Sequence, residues 1–295
     1  MGKKGLFSIV SLFVAFSVIL AGCGAKSSTE TSSSPKASSP AATAAAPSSA
    51  PTEAPKKEVT LTIGSAEIPH SEILNFVKPK LKEQGINLVV KVTDEGLLNQ
   101  LLKDKQIDAN YFQHVPYFDS VKTEKGFEFV NPIKVHVEPI GFYSTKLKSK
   151  EEIKDGAKIG IPNNPSNEYR ALVLLQQQGL IKLKDGLTTY QATPKDIVSN
   201  PKNLKFVEAE APTLARSLQD LDGAVINTNI IIEAKIDPKT ALFREDANSP
   251  YANTITVRKD DENRDEIKKL GAALTSPEVK KFIQDKYGVA VVPAF

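Results

Sequence analysis

The stretch DANYFQHVPY, Asp108–Tyr117, decides how this chain is read. Ile107 to Phe112 is the short apolar run of a buried strand. Val115-Pro116 then opens a helical pattern that runs to Lys125 and stops at Gly126. A strand that feeds directly into a helix is half of a β-α-β unit, and the sequence on either side repeats the pattern. Upstream, Val59–Ile63 alternates like a strand and Ser71–Gln84 has helical apolar spacing closed by Gly85. Leu88–Val92 is a second strand, and Gly96–Gln106 carries Leu97, Leu98, Leu101 and Leu102 on one side. Downstream, Glu128–Ser144 reads as extended chain broken at Pro132 and Pro139. The order β-α-β-α-β-α-β predicts a mainly parallel sheet with helices on both faces.

A second α/β set begins at Ala157–Ile161, with a helix at Ser166–Gln178 stopped by Gly179. Leu204–Glu208 and Gly223–Ile226 read as strands on either side of a helix at Thr213–Asp220, and Tyr251–Val257 as a last strand. Helices at Arg264–Ala273 and Pro277–Tyr287 close the chain. The expectation is an α/β fold of two lobes. Residues 58–142 and 246–295 would form lobe I and residues 143–245 lobe II, with crossovers near Pro139–Ser144 and Leu242–Tyr251. In open α/β sheets ligands bind beyond the carboxyl ends of the strands. Those ends fall here at Gly64-Ser65-Ala66, Asp94-Glu95, Tyr111–His114, Pro162–Asn164, Glu210-Ala211 and Asn227–Asn229. Two facing lobes make a cleft that can hinge shut.

The N-terminus bears on the compartment. Lys3 and Lys4 precede an apolar run from Leu6 to about Leu20, then Ala21-Gly22 and Cys23, the only cysteine of the chain. This is the pattern of a secretory signal peptide over residues 1–22, and the run is short for a membrane span. Leu20-Ala21-Gly22-Cys23 resembles a bacterial lipobox, which implies cleavage before Cys23 and a lipid on its sulfur. A lone exported cysteine has no disulfide framework, and a glyceryl group with two acyl chains supplies the two signals that stable anchoring needs. The segment 23–57 is then rich in Ser, Ala, Pro and Thr with few large apolar residues, the composition of a disordered tether. Loss of Lys3 and Lys4 leaves 36 basic against 35 acidic residues with no basic stripe, which argues against nucleic acid as a partner.

Several stretches, taken together and in order, resemble the NlpA/MetQ family of lipoproteins, the methionine-binding components of ABC importers. They are DANYFQHVPY, EPIGFYSTKLKS, IPNNPSNEYRALVLLQ, DGAVINTN, YANTITVR and SPEVKKFIQDKYGVAVVPAF, and the resemblance runs from about Val59 to Phe295. It implies a type II periplasmic-binding-protein fold and methionine, or a related small ligand such as a methionine-containing dipeptide, as cargo. It implies an ABC permease and its ATPase as partners, and a monomer anchored to the extracytoplasmic face of the cell membrane. No cofactor is expected.

Site expectations divide between the residues and the resemblance. Arg170, in an apolar helix, is either solvated near the helix start or paired, because an unpaired guanidinium among core positions is costly. The resemblance implies a pair with the ligand carboxylate, to which its planar fork is suited. Asn167 and Asn227 serve as caps or turns on the bland reading; the resemblance implies ligand contact, and Asn229 is open between the two. The resemblance makes Tyr111, Phe112 and His114 a wall of the side-chain pocket, where a thioether gains from aromatic faces. Strand alternation sends residues 111 and 113 one way and 112 and 114 the other, so core packing competes for Phe112 and Tyr117. The three histidines, His70, His114 and His136, do not stand at metal spacing from one another, so no metal is expected. No nucleophile elbow, P-loop or Cys/His pair is present, so catalysis is not expected. The family's Asp-Pro-Thr-Asn stands here as Asn164-Pro165-Ser166-Asn167, and Tyr169 replaces a common glycine; these departures leave D-methionine, a dipeptide or another small amino acid open beside L-methionine as cargo. A surface adhesin or sensory lipoprotein on the same clamshell also remains open.

Overall fold

A computed structural model describes residues 58–187, 190–246 and 249–295. The expected signal peptide, Cys23 and tether lie outside these described residues, and among the described residues no helix is long and apolar enough to cross a membrane. The chain opens with β1 (Val59–Ser65), α1 (Glu72–Glu83), β2 (Ile86–Val92), α2 (Glu95–Lys103), β3 (Ala109–His114), α3 (Val115–Lys125) and β4 (Phe129–Val137). It continues with β5 (Gly141–Tyr143), β6 (Lys158–Pro162), α4 (Pro165–Gln177) and a hairpin of β7 (Lys182–Leu183) and β8 (Ile197–Ser199). Then come β9 (Lys205–Ala209), α5 (Ala211–Arg216), β10 (Gly223–Ile226), α6 (Thr228–Glu233) and β11 (Phe243–Arg244). The chain returns through β12 (Ala252–Arg258), α7 (Asp265–Leu274), α8 (Pro277–Tyr287) and β13 (Val292–Pro293).

These strands form two separate sheets. The first has the order β13-β4-β12-β3-β1-β2 and the second β11-β5-β10-β6-β9. β1 lies parallel to β2 and β3, whereas the returning β12 runs antiparallel between β3 and β4. In the second sheet β6 is parallel to β9 and β10, and β5 is antiparallel to β10. Each sheet has its own apolar core, one built on Leu61, Ile63, Leu74, Leu81, Ile255 and Leu270, the other on Ile159, Ile161, Leu172, Leu175 and Val225. Side chains on one stripe of α1 and α7 and on alternate strand positions bury this surface, the main favourable term in folding. Gly64 matters to one contact: a Cβ there would stand 2.6 Å from Leu98 Cδ2 and 2.7 Å from Ile107 Cδ1, so a larger residue would force those side-chain ends to move where α2 closes on β1.

The extended stretch Glu128–Ser144 is divided in the fold. β4 belongs to the first sheet and β5 to the second, with Glu138–Ile140 crossing between them. Pro139 donates no N–H, so the ladder breaks there. Pro132 stays inside β4, where the register with β12 shifts. The chain crosses back between β11 and β12. The two-residue strands β7, β11 and β13 carry too little alternation to be read from sequence.

Candidate functional site

The carboxyl ends of β1, β2, β3, β6, β9 and β10 all open on one cleft between the two sheets, with a volume of about 620 Å³. Helix starts position the side chains there. His114 is the N-cap of α3: its Nδ1 accepts from the Tyr117 amide at 3.1 Å, and Pro116 fixes the first turn. With Nδ1 accepting, the neutral ring carries its proton on Nε2, which donates to Asn167 Oδ1 at 3.0 Å. Burial, and then the Arg170 charge, push His114 down to about 3, so the ring stays neutral. Asn164 caps α4 by accepting from the Asn167 amide at 3.1 Å. The capping role therefore falls to Asn164, which leaves the Asn167 side chain free for the cleft. Asn227 donates its amide to Asn167 Oδ1 at 3.1 Å, and its own Oδ1 is buried without a hydrogen bond among the described residues.

Arg170 is 2% exposed, and its fork is closed within the protein. Nε and Nη2 reach the two carboxylate oxygens of Glu245 at 2.8 and 2.5 Å, and Nη2 also donates to the Glu138 carbonyl at 2.8 Å. The guanidinium lies 4.1 Å from the centre of the Tyr251 ring. Arg170 thus ties lobe II to both crossovers at once, and Nη1 is the guanidinium nitrogen with no hydrogen bond to a described residue. Glu138, on the first crossover, accepts from the Asn229 amide at 2.9 Å through Oε2 and from His136 at 2.7 Å through Oε1. Burial would push its carboxyl up; the His136 hydrogen bond, the neighbouring imidazoles and the Asn229 amide outweigh that and hold it below the usual range. The Asn229 side chain donates across the cleft to Glu95 Oε1 at 3.1 Å.

Of the residues expected from sequence, Phe112, His114, Asn167, Arg170, Asn227 and Asn229 line the cleft together, and so does Tyr117. Tyr111 does not. It is fully buried in the first core, with its hydroxyl on His136 Nδ1 and its ring 4.7 Å from His70, because strand alternation turns it away from Phe112 and His114. The lining also includes Glu95, which the sequence placed at a strand end without a role, and Glu67, Glu138, Glu233 and Asn253, which the sequence reading passed over. Asn253 lay inside the quoted YANTITVR and Glu138 opened EPIGFYSTKLKS, but strand and crossover context hid their direction. The expectation that the histidines stay apart holds only along the chain. The fold brings the ligating atoms of His70, His136 and Glu138 within 4.8 Å of one another, and His70 Nε2 lies 3.2 Å from Asn253 Oδ1.

Two α/β lobes joined by two crossovers around a polar cleft define a solute-binding protein of the periplasmic-binding class. The chain belongs to the NlpA lipoprotein family, whose model matches residues 61–295. It is 41% identical to the methionine-binding lipoprotein MetQ of Bacillus subtilis (strain 168) over 296 residues, 98% of each chain. It is 46% identical to the D-methionine-binding lipoprotein MetQ of Salmonella typhi over 194 residues, 65% of this chain and 71% of that one. A nutrient binding protein from Burkholderia cenocepacia, solved bound to methionine, superposes with a TM-score of 0.77 at 43% identity, covering 80% of this chain and all of that one.

Proposed function

We propose that this chain is the solute-binding lipoprotein of an ABC importer and captures methionine or a closely related amino acid by closing its lobes. The observation that carries this is the cleft itself: amides, one guanidinium and aromatic faces converge at the strand ends, in a family with a relative solved bound to methionine. The ligand carboxylate meets Arg170 Nη1 and the Asn167 and Asn227 amides. The ammonium meets Glu138 and the free acceptor Asn227 Oδ1, and the tail lies against Phe112 and Tyr117. Ligand that bridges both lobes favours the closed form by its differential contacts. The loaded form then docks on the permease, and ATP hydrolysis by the partner ATPase drives import. The protein binds and does not catalyse.

Residues 1–22 are read as a removed signal peptide, Cys23 as the lipidated residue that anchors the protein to the extracytoplasmic face of the membrane, and residues 23–57 as a tether. The hinge is read at Glu138–Ile140 and beside Glu245 and Tyr251. The test is mass spectrometry of cargo released from the detergent-extracted full-length chain, with thermal shift on added methionine. Release of methionine or a relative, with a raised melting temperature, supports the reading. A chain that releases no amino acid and does not respond to methionine refutes it.

A further inference from the structure

The charge of the cleft narrows the cargo, on the reading of the cleft just given. Glu67, Asp94, Glu95, Glu138, Glu210 and Glu233 all line it. Among the described residues the only cationic side chain of the lining is Arg170, and Glu245 already holds its fork. Glu95 keeps company with the aromatic end, near enough to Tyr117 that, after burial, its charge is the next cause raising that phenol, and Glu233 is the carboxylate that acts most on Glu95 in turn. The hydrogen-bond donor to Glu95 is the neutral Asn229 amide, 3.1 Å away. Burial, and then the neighbouring carboxylates, push Glu95 up to about 8 and Glu233 to about 7. These are acids gathered without a counter-charge, and a neutral thioether among them would supply none.

We propose that the aromatic end of the cleft receives a cationic group, so that the preferred cargo is a methionine-sized amino acid whose tail ends in a sulfonium or an ammonium. Such a tail brings positive charge to Glu95 and Glu233 and sits over the ring faces of Phe112 and Tyr117, where a desolvated cation is attracted. The α-carboxylate and α-ammonium keep the partners already assigned to them at Arg170, Asn227 and Glu138.

The experiment is calorimetric titration of the detergent-solubilised full-length chain with S-methylmethionine, lysine and methionine. At least one of the two cationic probes should bind about tenfold tighter than methionine. Glu95→Gln and the double variant Glu95→Gln/Glu233→Gln should pull that ratio toward one, with melting curves to establish that both are folded. Methionine binding as tightly as both cations overturns the inference and leaves the cleft reading standing. An unchanged ratio in a folded double variant also overturns it. Failure of all three probes to bind overturns the cleft reading together with the inference.

Discussion

Glu245→Ala removes the carboxylate that closes the Arg170 fork, and the structure sets the size of the effect. The pair is 2% and 12% exposed, with contacts of 2.8 and 2.5 Å. Breaking one side of a buried ion pair costs about 3–5 kcal/mol, because the remaining charge stays out of water. Arg170 keeps the Glu138 carbonyl and the Tyr251 face, which argues for the lower end, about 3 kcal/mol. For a folded region of this size that lowers the melting temperature by about 6–12 °C. Glu245→Gln, which retains an acceptor, should lose less. A double-mutant cycle with Arg170→Met, followed by thermal and urea unfolding, should return a coupling energy of about 2–3 kcal/mol. A Glu245→Ala chain that melts within about 2 °C of the parent refutes the view that this pair holds the crossovers together.

Arg170→Ala should abolish the thermal shift given by methionine, whereas Glu245→Ala, which frees the fork, should keep it; equal loss in both would assign the ligand carboxylate elsewhere. Phe112→Ala should weaken methionine binding by about tenfold in calorimetry, through lost burial and ring contact at the tail. The pH profile of melting should be a dome. Unfolded imidazole titrates near 6.5, while burial lowers His70 to about 4 and His114 to about 3. The support these rings give the fold is therefore full above about pH 6.5 and is lost as pH falls through that value toward 4 and 3. Glu95 and Glu233 act in the opposite sense, because the fold holds their protons up to about 8 and 7. Their support is full below the unfolded carboxyl range and is lost as pH rises through the folded values, so Glu95→Gln should flatten the alkaline limb alone. Cys23→Ala should move the protein from the detergent phase to the aqueous phase in a phase-partition assay.

The α/β order was legible because α1, α2, α3, α4, α7 and α8 are long enough to show helical spacing and most end at glycine or begin at proline. Phe112, His114 and Asn227 stand at strand ends, which topology directs to a common cleft, whereas Asn167 and Arg170 stand in α4 and their place in the site was expected from the family resemblance. Partners across the chain were not legible. Nothing local links Arg170 to Glu245, 75 residues away, or Asn229 to Glu95, 134 residues away. The acid character of the cleft was hidden for the same reason: Glu67, Glu95 and Glu233 come from different elements, and each alone reads as an ordinary surface charge. Tyr111 shows the opposite difficulty, since a tyrosine inside an aromatic motif looks like wall until strand alternation assigns it to the core.

The polar contacts sort into two groups by what must break when the lobes part. His114 to Asn167 and Asn229 to Glu95 run directly from one lobe to the other across the cleft, so opening must sever them. The contacts of Arg170 with Glu245 and with the Glu138 carbonyl join lobe II to the crossovers themselves, about which the lobes turn, and can persist. Glu138 belongs to the second group and yet lines the cleft, with His136 behind it and the first turn of α6 in front. A ligand ammonium on that carboxylate would therefore act at the pivot, whereas a ligand tail near Glu95 would act at the lip. Cargo that reaches both reinforces contacts that opening would otherwise break, and this is the physical sense in which filling the cleft can hold it shut.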